Sequence, residues 1–452
     1  MKSIMVPPDG GYGWVIVFAN ALSSFIIIAL MQNLGLVFKD TFAELGYSAM
    51  QGSFIINVNA SFGKLTGPIT GVLLKVYDCR KIGMLAAFLL TVGMVLTSFC
   101  ETFPLFFAAY GILTSLGMQM SESTQRLALN LYFKKKRSIA MGYAVTIAGF
   151  GPILLPQLIR FLMKIYTTQE VILISAGVCA HVFISAIILQ PVKWHMKLEE
   201  TKEPTQHTKE EQTELLVEED KKNGAEKVTE SDKNSESIFR NILNNITKTF
   251  DLDLLKDPVF DNILIGLALA TFAELNFSLL IPFILHDFGL DTDQIAAFLS
   301  TLGVADIIFR FFGPYIGNYF TKPSRLMYAY ALTILIVIRF SLLISKNFYV
   351  LLGIAFALGI AKGVRKVYMW LVIPDYVPME KLPSAGGMEA LANGLSILVG
   401  GPILGALRDA TGSYVICIIV MNCVTITTIV MWLLEAIIVK YKKQNLSKNK
   451  SR

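Results

Sequence analysis

Histidine, cysteine and nucleotide-binding motifs are scarce or missing in this chain. Its 452 residues include only 4 histidines and 5 cysteines, and neither type recurs at the spacing of a metal site or a disulfide framework. The sequence also lacks the glycine-rich loop, ending in Gly-Lys-Ser or Gly-Lys-Thr, that cradles nucleotide phosphates. These absences argue against a zinc domain, a disulfide-stapled fold and an ATP-driven pump. We therefore expect no enzymatic activity, no metal and no cofactor.

Charged residues are also few. They make up 16% of the chain, whereas hydrophobic residues make up 54%, and the mean hydropathy is +0.56. Soluble domains usually contain about 25% charged residues. The composition therefore indicates a protein that crosses the lipid bilayer several times. The net charge of +6 comes mainly from clusters beside the apolar runs, which favours a role in membrane orientation and predicts no nucleic-acid partner.

Apolar runs long enough to cross a membrane occur six times before the middle of the chain and six times after it. We predict spans at 14–38, 52–76, 82–100, 104–131, 138–163, 168–190, 259–286, 294–320, 325–345, 348–373, 383–407 and 412–440. The prediction is thus a short N-terminus (1–13), a six-helix bundle (14–190), a hydrophilic loop (191–258), a second bundle (259–440) and a tail (441–452). The loop is mostly too polar to fold alone, although 238–256 has the periodicity of an amphipathic surface helix.

Lysine and arginine in the short loops predict the orientation. If the spans alternate, Arg80, Arg137, Arg325 and Lys440 all fall on one side, together with the run Lys134–Lys136. Short loops rich in lysine and arginine usually face the cytoplasm. Both termini and the long middle loop are therefore expected inside the cell, in a multi-pass plasma-membrane protein.

The two predicted bundles share a pattern of glycine and proline. Gly67-Pro68 in span 2 corresponds to Gly313-Pro314 in span 8, and Gly151-Pro152 in span 5 corresponds to Gly401-Pro402 in span 11. Both pairs are separated by nearly the same number of residues, so the second six spans resemble a duplicate of the first six. Duplicated six-span halves around a central site are the plan of the major facilitator transporters. We therefore predict an all-α membrane protein of twelve transmembrane helices in two pseudo-repeated bundles.

Asp306 and Arg310 stand inside predicted span 8. Their i, i+4 spacing places both side chains on one helix face, and charges at this depth are costly unless they face a cavity or a partner. One interpretation is a substrate or proton site in a transport path. The other is a structural ion pair that holds two helices together.

Further charged residues lie within the predicted spans. Glu122 and Arg126 repeat the i, i+4 spacing in span 4, where a structural pair and a substrate role are both open. The others are Lys64 in span 2, Glu274 in span 7, and Lys362 and Arg365 in span 10. Lys362 is expected to face a cavity, whereas Arg365 either faces it or extends toward the membrane surface.

Cations outnumber carboxylates in this set, which favours an anionic or zwitterionic solute. We predict that Arg310 binds a substrate carboxylate. Asp306 would hold Arg310 in place while the site is empty and would accept a proton when the cavity loses water. Lys362 and Arg126 would add positive potential.

Two motifs resemble signatures of the monocarboxylate transporter (solute carrier 16) family. The first opens span 1 with Asp9, Gly10, Gly11, Tyr12, Gly13 and Trp14. The second enters span 5 with Tyr132, Phe133, Lys135, Lys136, Arg137, Ala140, Gly142 and Ala144. The pair Asp306 and Arg310 and the run from Gly401 to Asp409 are similar to the family as well. The run from Lys362 to Pro378 looks most like the insect members.

This resemblance implies a plasma-membrane carrier of carboxylates or amino-acid-like metabolites, with Asp306 and Arg310 in its proton and substrate site. It also implies that a single-span ancillary glycoprotein could be required. Two positions depart from the family. Gln32 stands where proton-coupled lactate carriers have a lysine, and Thr146-Ile147 replace a small Ala-Gly pair.

We therefore predict a secondary transporter of small monocarboxylates or related organic anions and zwitterions that works by alternating access, with proton coupling left open by Gln32. A proton-independent facilitator of amino-acid-like or neutral metabolites is the first alternative. A membrane sensor that binds solute without transporting it is the second.

Overall fold

The computed structural model of the chain describes residues 2–44, 46, 49–201, 247–411 and 414–450. Most of these residues are helical. The first half contains the helices α1 (Gly13–Glu44), α2 (Ala49–Leu65), α3 (Gly67–Val76), α4 (Cys79–Ser98), α5 (Phe103–Phe106), α6 (Ser115–Tyr132), α7 (Arg137–Gly149), α8 (Gly151–Leu162), α9 (Thr168–Ala180) and α10 (Val182–Ile188). A π-helix, Phe107–Thr114, joins α5 to α6.

The second half begins after the long loop. Its helices are α11 (Pro258–Asp287), α12 (Thr292–Phe320), α13 (Ser324–Ser341), α14 (Phe348–Met369), α15 (Val372–Tyr376), α16 (Leu382–Thr411) and α17 (Tyr414–Lys450). The helix ends at Ile188 and Pro258 fall close to the predicted borders of the middle loop.

Ten helical segments of the described chain are long and apolar enough to cross a membrane. The two remaining predicted spans, 52–76 and 383–407, correspond to α2 together with α3 and to the 30-residue helix α16. The prediction of an all-α protein with twelve membrane helices in two bundles is therefore confirmed.

Proline explains two of the breaks within these spans. Thr66 separates α2 from α3 with Pro68 in the first turn of α3, and Phe150 separates α7 from α8 with Pro152 in the first turn of α8. Proline has no N–H to donate and suits the start of a helix. Each of these spans is consequently two shorter helices in line.

A small β-sheet was not predicted. The strand β1 (Lys2–Val6) pairs antiparallel with β2 (Lys197–Thr201), Lys2 opposite Thr201. The predicted disordered loop is therefore structured at its start, and near its end Leu252–Lys256 forms a 3₁₀-helix. Residues 202–246, which include the first part of the predicted amphipathic helix, lie outside the described residues. We call the end of the molecule that carries β1 and β2 the sheet end.

The two halves meet along two pairs of spans. α2 and α3 pack against α16, and α7 packs against α12. A Cβ atom at Gly67 would lie 2.6 Å from the carbonyl oxygen of Gly387, and one at Gly142 would lie 2.4 Å from the Pro314 ring. The Gly-Pro pattern that indicated duplication thus includes residues at which the halves touch.

These contacts close one end of the molecule. Toward the sheet end, the Ser138 hydroxyl donates a hydrogen bond to the amide oxygen of Asn318 at 3.2 Å. In the middle of the spans, Gly149 of α7 lies against Arg310 of α12. The structure is therefore a state in which the halves are joined from the sheet end to the middle of the spans.

Candidate functional site

Asp9 connects the two signature motifs. Its Oδ1 atom accepts hydrogen bonds from the backbone N–H groups of Lys134 at 2.7 Å, Lys135 at 2.8 Å and Lys136 at 3.1 Å. These N–H groups lie at the start of α7, where a carboxylate satisfies free donors and faces the positive end of the helix dipole. The first motif therefore fixes the N-terminus of the helix that the second motif begins.

Glycines and aromatics of the same motifs pack together. A Cβ at Gly13 would lie 2.8 Å from the Phe133 ring, so the missing side chain makes room for that ring. The Trp14 and Phe133 ring centroids are 5.2 Å apart, and Tyr132 donates a hydrogen bond to the backbone of Gln190 at 3.0 Å.

The turn between Asp9 and α1 depends on glycine. Gly11 has a φ of +56°, in the left-handed region that favours glycine. The carbonyl of Gly10 accepts the N–H of Gly13 at 3.0 Å. The turn allows Asp9 to reach α7 while Trp14 stays at the start of span 1.

Arg137 links the two halves at the sheet end. Its Nη1 donates to the carbonyl of Pro374 at 2.9 Å and lies 3.2 Å from Oδ1 of Asp375. Its Nε donates to the carbonyl of Phe133 at 3.1 Å, and Asp375 also accepts a hydrogen bond from Ser324. Because Asp375 belongs to the second half, this ion pair must break before the sheet end can open.

Asp306 and Arg310 form the ion pair that their spacing predicts. Arg310 Nε donates to Asp306 Oδ1 at 2.9 Å, and Nη2 donates to Oδ2. Its Nη1 donates to the carbonyl of Val145 in α7 at 3.2 Å. Asp306 is only 5% exposed. The guanidinium therefore holds a buried carboxylate on its own helix and also binds the backbone of the opposite half.

Glu122 and Arg126 form the second predicted pair, at 2.7 Å. Arg126 also lies 3.6 Å from Glu389 of α16 and 3.6 Å from the centre of the Trp370 ring. Lys64 of α2 lies close by, against Gly394 of α16. Arg126 is thus a second arginine that joins the first half to the second.

A third cluster is buried within the second half, and Glu274 of α11 is its centre. Arg339 of α13 donates to Glu274 Oε2 and, at 3.3 Å, to the hydroxyl of Thr425 in α17. Lys362 Nζ lies 3.4 Å from Glu274 Oε1 and donates to the Ser278 hydroxyl at 2.8 Å. Both carboxylate oxygens of Glu274 therefore have a cationic partner.

Arg365 is buried, so the option of extending to the membrane surface is wrong. It is 4% exposed, and its Nη1 donates to the Tyr328 hydroxyl at 3.4 Å. Its Nε has no hydrogen-bond partner in the described chain. Arg365 thus adds positive charge next to the Glu274 cluster without sharing its carboxylate directly.

Two members of these clusters are absent from the sequence prediction. Arg339 lies in the predicted span 325–345 and is 1% exposed, and Glu389 lies in the predicted span 383–407 and is 6% exposed. In both cases, the sequence feature that could have identified the residue was an ionisable side chain inside an apolar run. Neither has a charged residue four positions away, so no pairing pattern drew attention to it.

Some predicted residues cannot be placed in the site. Gln32 lies on α1, but its side chain is outside the described part of the structure, as are those of Gly401 and Pro402. The described charges therefore define the site. They are an Asp306–Arg310 pair at the contact between the halves, an arginine bridge at Arg126, and a buried cationic cluster around Glu274.

The comparison with protein families agrees with this architecture. The model described as Major Facilitator Superfamily matches residues 13–338 and 263–451. The chain belongs to the Major Facilitator Superfamily. It is therefore a transporter of this superfamily and not an enzyme.

The relatives of known sequence include monocarboxylate transporters. The chain is similar to Monocarboxylate transporter 6 of Mus musculus, with 24% identity over 421 residues, 92% of this chain and 84% of the relative. It is also similar to Monocarboxylate transporter 12-B of Danio rerio, with 24% identity over 452 residues, 99% of this chain and 92% of the relative. The predicted resemblance to monocarboxylate transporters is confirmed. The likeness to insect members stays a prediction.

Solved structures show the same superfamily fold. The chain is similar to the crystal structure of FucP in the outward conformation, with a TM-score of 0.64 and 14% identity, over 93% of this chain and 98% of that chain. A second crystal structure, of the E. coli fucose:proton symporter FucP, matches with a TM-score of 0.64 and 16% identity. At these identities, the comparison supports the fold alone.

Proposed function

We propose that the protein carries small monocarboxylates or related organic anions and zwitterions across the plasma membrane by alternating access. The observation that carries this proposal is the position of Arg310. It binds Asp306 on its own helix and the Val145 carbonyl of the opposite half. A solute that draws Arg310 away from the Val145 carbonyl removes a contact between the halves, so its binding can change the conformation, which is what a coupled carrier requires.

The chemistry of the pair suggests the coupling step. An arginine fork binds a carboxylate through two parallel hydrogen bonds, and Asp306 occupies that fork while the site is empty. A proton on Asp306 removes its negative charge and frees the fork for a substrate carboxylate. Proton and acid would then enter together, and the loaded site would carry no more net charge than the empty one.

The orientation follows from the sheet end. Lys134, Lys135 and Lys136 lie there, with Arg325 at the start of α13. Loops rich in lysine and arginine usually face the cytoplasm. We infer that the sheet end and both termini are cytoplasmic, so this state is closed to the cytoplasm and accepts solute from outside.

Purified protein in liposomes tests the proposal. Uptake of labelled monocarboxylates, amino acids and neutral analogues is measured with and without an inward proton gradient. The proposal predicts uptake of a carboxylate that increases with the gradient. If a neutral solute is taken up equally with and without the proton gradient, the result would support the facilitator. Binding of solute without uptake would support the sensor.

The same experiment tests the expected partner. The resemblance to monocarboxylate transporters implies a single-span glycoprotein that could be needed at the cell surface. Uptake by the protein alone in liposomes would show that such a partner is not needed for transport itself.

A further inference from the structure

A buried carboxylate bridges the two halves near the sheet end. Glu389 of α16 is 6% exposed, and its Oε2 lies 3.6 Å from Nη1 of Arg126 in α6. At the sheet end, α6 ends at Tyr132 and α16 begins at Leu382. Arg126 is 6 residues from the first of these ends and Glu389 is 7 residues from the second. At about 1.5 Å per residue, the pair lies roughly 10 Å inside the sheet end.

The negative charge of Glu389 is only partly balanced. Arg126 is closer to Glu122, at 2.7 Å, than to Glu389, so two carboxylates share one guanidinium. Oε1 of Glu389 is buried and has no hydrogen-bond partner among the described residues. A buried acceptor without a partner is costly, and more so when it carries a charge. A proton on Oε1 would remove that cost.

Asn393 offers an acceptor for such a proton. It lies one turn further along α16, and its side chain is next to Glu389. Its Oδ1 is buried and has no hydrogen-bond partner in the part of the chain that the structure describes. A protonated carboxyl group can donate one hydrogen bond, whereas a carboxylate can only accept. The neutral form of Glu389 can therefore satisfy an amide oxygen that the charged form cannot.

A small polar cavity extends from this pair toward the sheet end. It has a volume of about 40 Å³, and its lining includes Arg126, Glu389 and Asn130 together with Pro374 and Pro383 near the sheet end. A water molecule needs at least about 10–15 Å³, so the cavity has room for a few. Water in this cavity can exchange a proton with Glu389 while the halves are still joined.

The charged groups that act on Glu389 come from three helices. They are Arg126 and Glu122 of α6 and Lys64 of α2, with the Tyr328 hydroxyl of α13 on another side. The other helices that pack against α16 are α3, α11, α15 and α17. Their charged residues include Lys75, Glu274, Asp375 and Glu435, which pair with Asp251, Arg339, Arg137 and Arg325, and Asp261 and His286, near the two ends of α11. The charge of Glu389 therefore decides how strongly the second half holds Arg126.

We propose that Glu389 is a second proton-binding residue of this carrier and that its protonation releases Arg126 and lets the sheet end open. The carboxylate attracts Arg126 across the halves, whereas the neutral acid does not. The proton comes from water at the sheet end and returns there, so it does not cross the membrane. Asp306 couples transport to protons, and Glu389 sets how often the sheet end opens.

This inference rests on the proposed function for its physiological meaning and names a regulation of the same carrier. With the sheet end in the cytoplasm, an acidic cytoplasm favours the state that opens toward it. The protein would then bind and export acid faster when the cytoplasm is acidic.

Spin labels on Lys135 and Lys322, one in each half at the sheet end, test the inference in the purified full-length protein without any solute. The distance distribution is measured in lipid nanodiscs from pH 8 to pH 5.5. Asp306→Asn is the background, so a proton on Asp306 cannot contribute. We expect the ratio of open to closed molecules to rise as the pH falls, by at most about tenfold per pH unit for one proton. Glu389→Gln should raise the open fraction at pH 8 and abolish this dependence.

Two substitutions serve as controls. Glu122→Gln removes the other carboxylate at Arg126, but Glu122 belongs to the same half as Arg126. It should keep the pH dependence and move it to lower pH, because Arg126 is then free to bind Glu389 more strongly. Asp375→Asn removes a different ion pair between the halves. It should raise the open fraction and keep the same change per pH unit.

Three results would overturn the inference. A distance that does not change with pH in the Asp306→Asn background would make the pair purely structural. The same pH dependence with and without Glu389→Gln would assign the proton to another group. Loss of the dependence in Asp375→Asn as well would show that any loosening of the sheet end has this effect. Because no solute is present, failure to transport an acid in liposomes would refute the proposed function and leave this result standing.

Discussion

Arg137 Nη1 lies 3.2 Å from Oδ1 of Asp375, and the two residues belong to opposite halves of the molecule. Asp9 holds the start of the helix from which Arg137 extends. Asp9 therefore helps to position Arg137, a residue of the second motif, where it closes the sheet end.

Removing the Arg137 partner should loosen the sheet end. We expect Asp375→Asn to shift the population toward states in which this end is open, because the ion pair is present only when it is closed. Spin labels on Lys135 and Lys322 would report a longer distance distribution. Asp253→Asn is the matched control, since the Asp253–Lys256 pair at 2.7 Å lies within one segment. An unchanged distance in Asp375→Asn would show that Arg137 does not hold the end closed.

The Asp9 cap should stabilise the folded protein measurably. Losing a side-chain cap costs about 1 kcal/mol, with a range of roughly 0.5–2, so Asp9→Ala should lower the unfolding temperature of the purified protein. Asp78 provides the comparison. It is the residue directly before α4 and makes no side-chain hydrogen bond to that helix, so Asp78→Ala should have little effect. Equal effects of both substitutions would contradict the capping role.

Carboxylate transport should require the planar guanidinium of Arg310 and not only its positive charge. Arg310→Lys keeps a cation but loses the second parallel hydrogen bond. We expect kcat/KM for the carboxylate to fall by about tenfold or more, the equivalent of roughly 1.4 kcal/mol. Arg160→Lys, at an exposed position of α8, is the control. Normal uptake by Arg310→Lys would show that a point charge is sufficient.

The buried Glu274 cluster should behave as a unit. Glu274→Gln removes a carboxylate that is 4% exposed and that both Arg339 and Lys362 contact, and leaving a buried charge without its partner costs about 3–5 kcal/mol. Arg339→Leu leaves Lys362 beside Glu274, so Glu274→Gln should lower the unfolding temperature more than Arg339→Leu does. If the two substitutions lower it equally, the loss comes from packing and not from unpaired charge.

Hydropathy predicted most of the fold, because a bilayer requires about 20 apolar residues for each crossing. The Gly-Pro pattern also indicated duplication, and Gly67 and Pro314 both lie where the halves touch. The pairing of Lys2–Val6 with Lys197–Thr201 could not be predicted. Two five-residue strands with 190 residues between them in the sequence have no local pattern that identifies them as partners.

The sequence predicted the pairs of the candidate site that lie on one helix, but not the contacts between helices. Asp306 with Arg310, and Glu122 with Arg126, are neighbours on one helix, so their spacing alone paired them. Glu274, Arg339 and Lys362 come from three helices, and only the packing of α11, α13 and α14 brings them together. Sequence reasoning identified Glu274 and Lys362 as misplaced charges, but the partner of each depended on the tertiary structure.

In the proposed mechanism, Asp306 carries the coupling proton while Arg310 holds the substrate. Asp306→Asn keeps the shape of the side chain and cannot take up or release that proton. In liposomes, we expect Asp306→Asn to exchange labelled for unlabelled acid across the membrane but no longer to accumulate acid against its gradient when protons flow inward. Accumulation equal to that of the unmodified protein would show that Asp306 does not carry the proton.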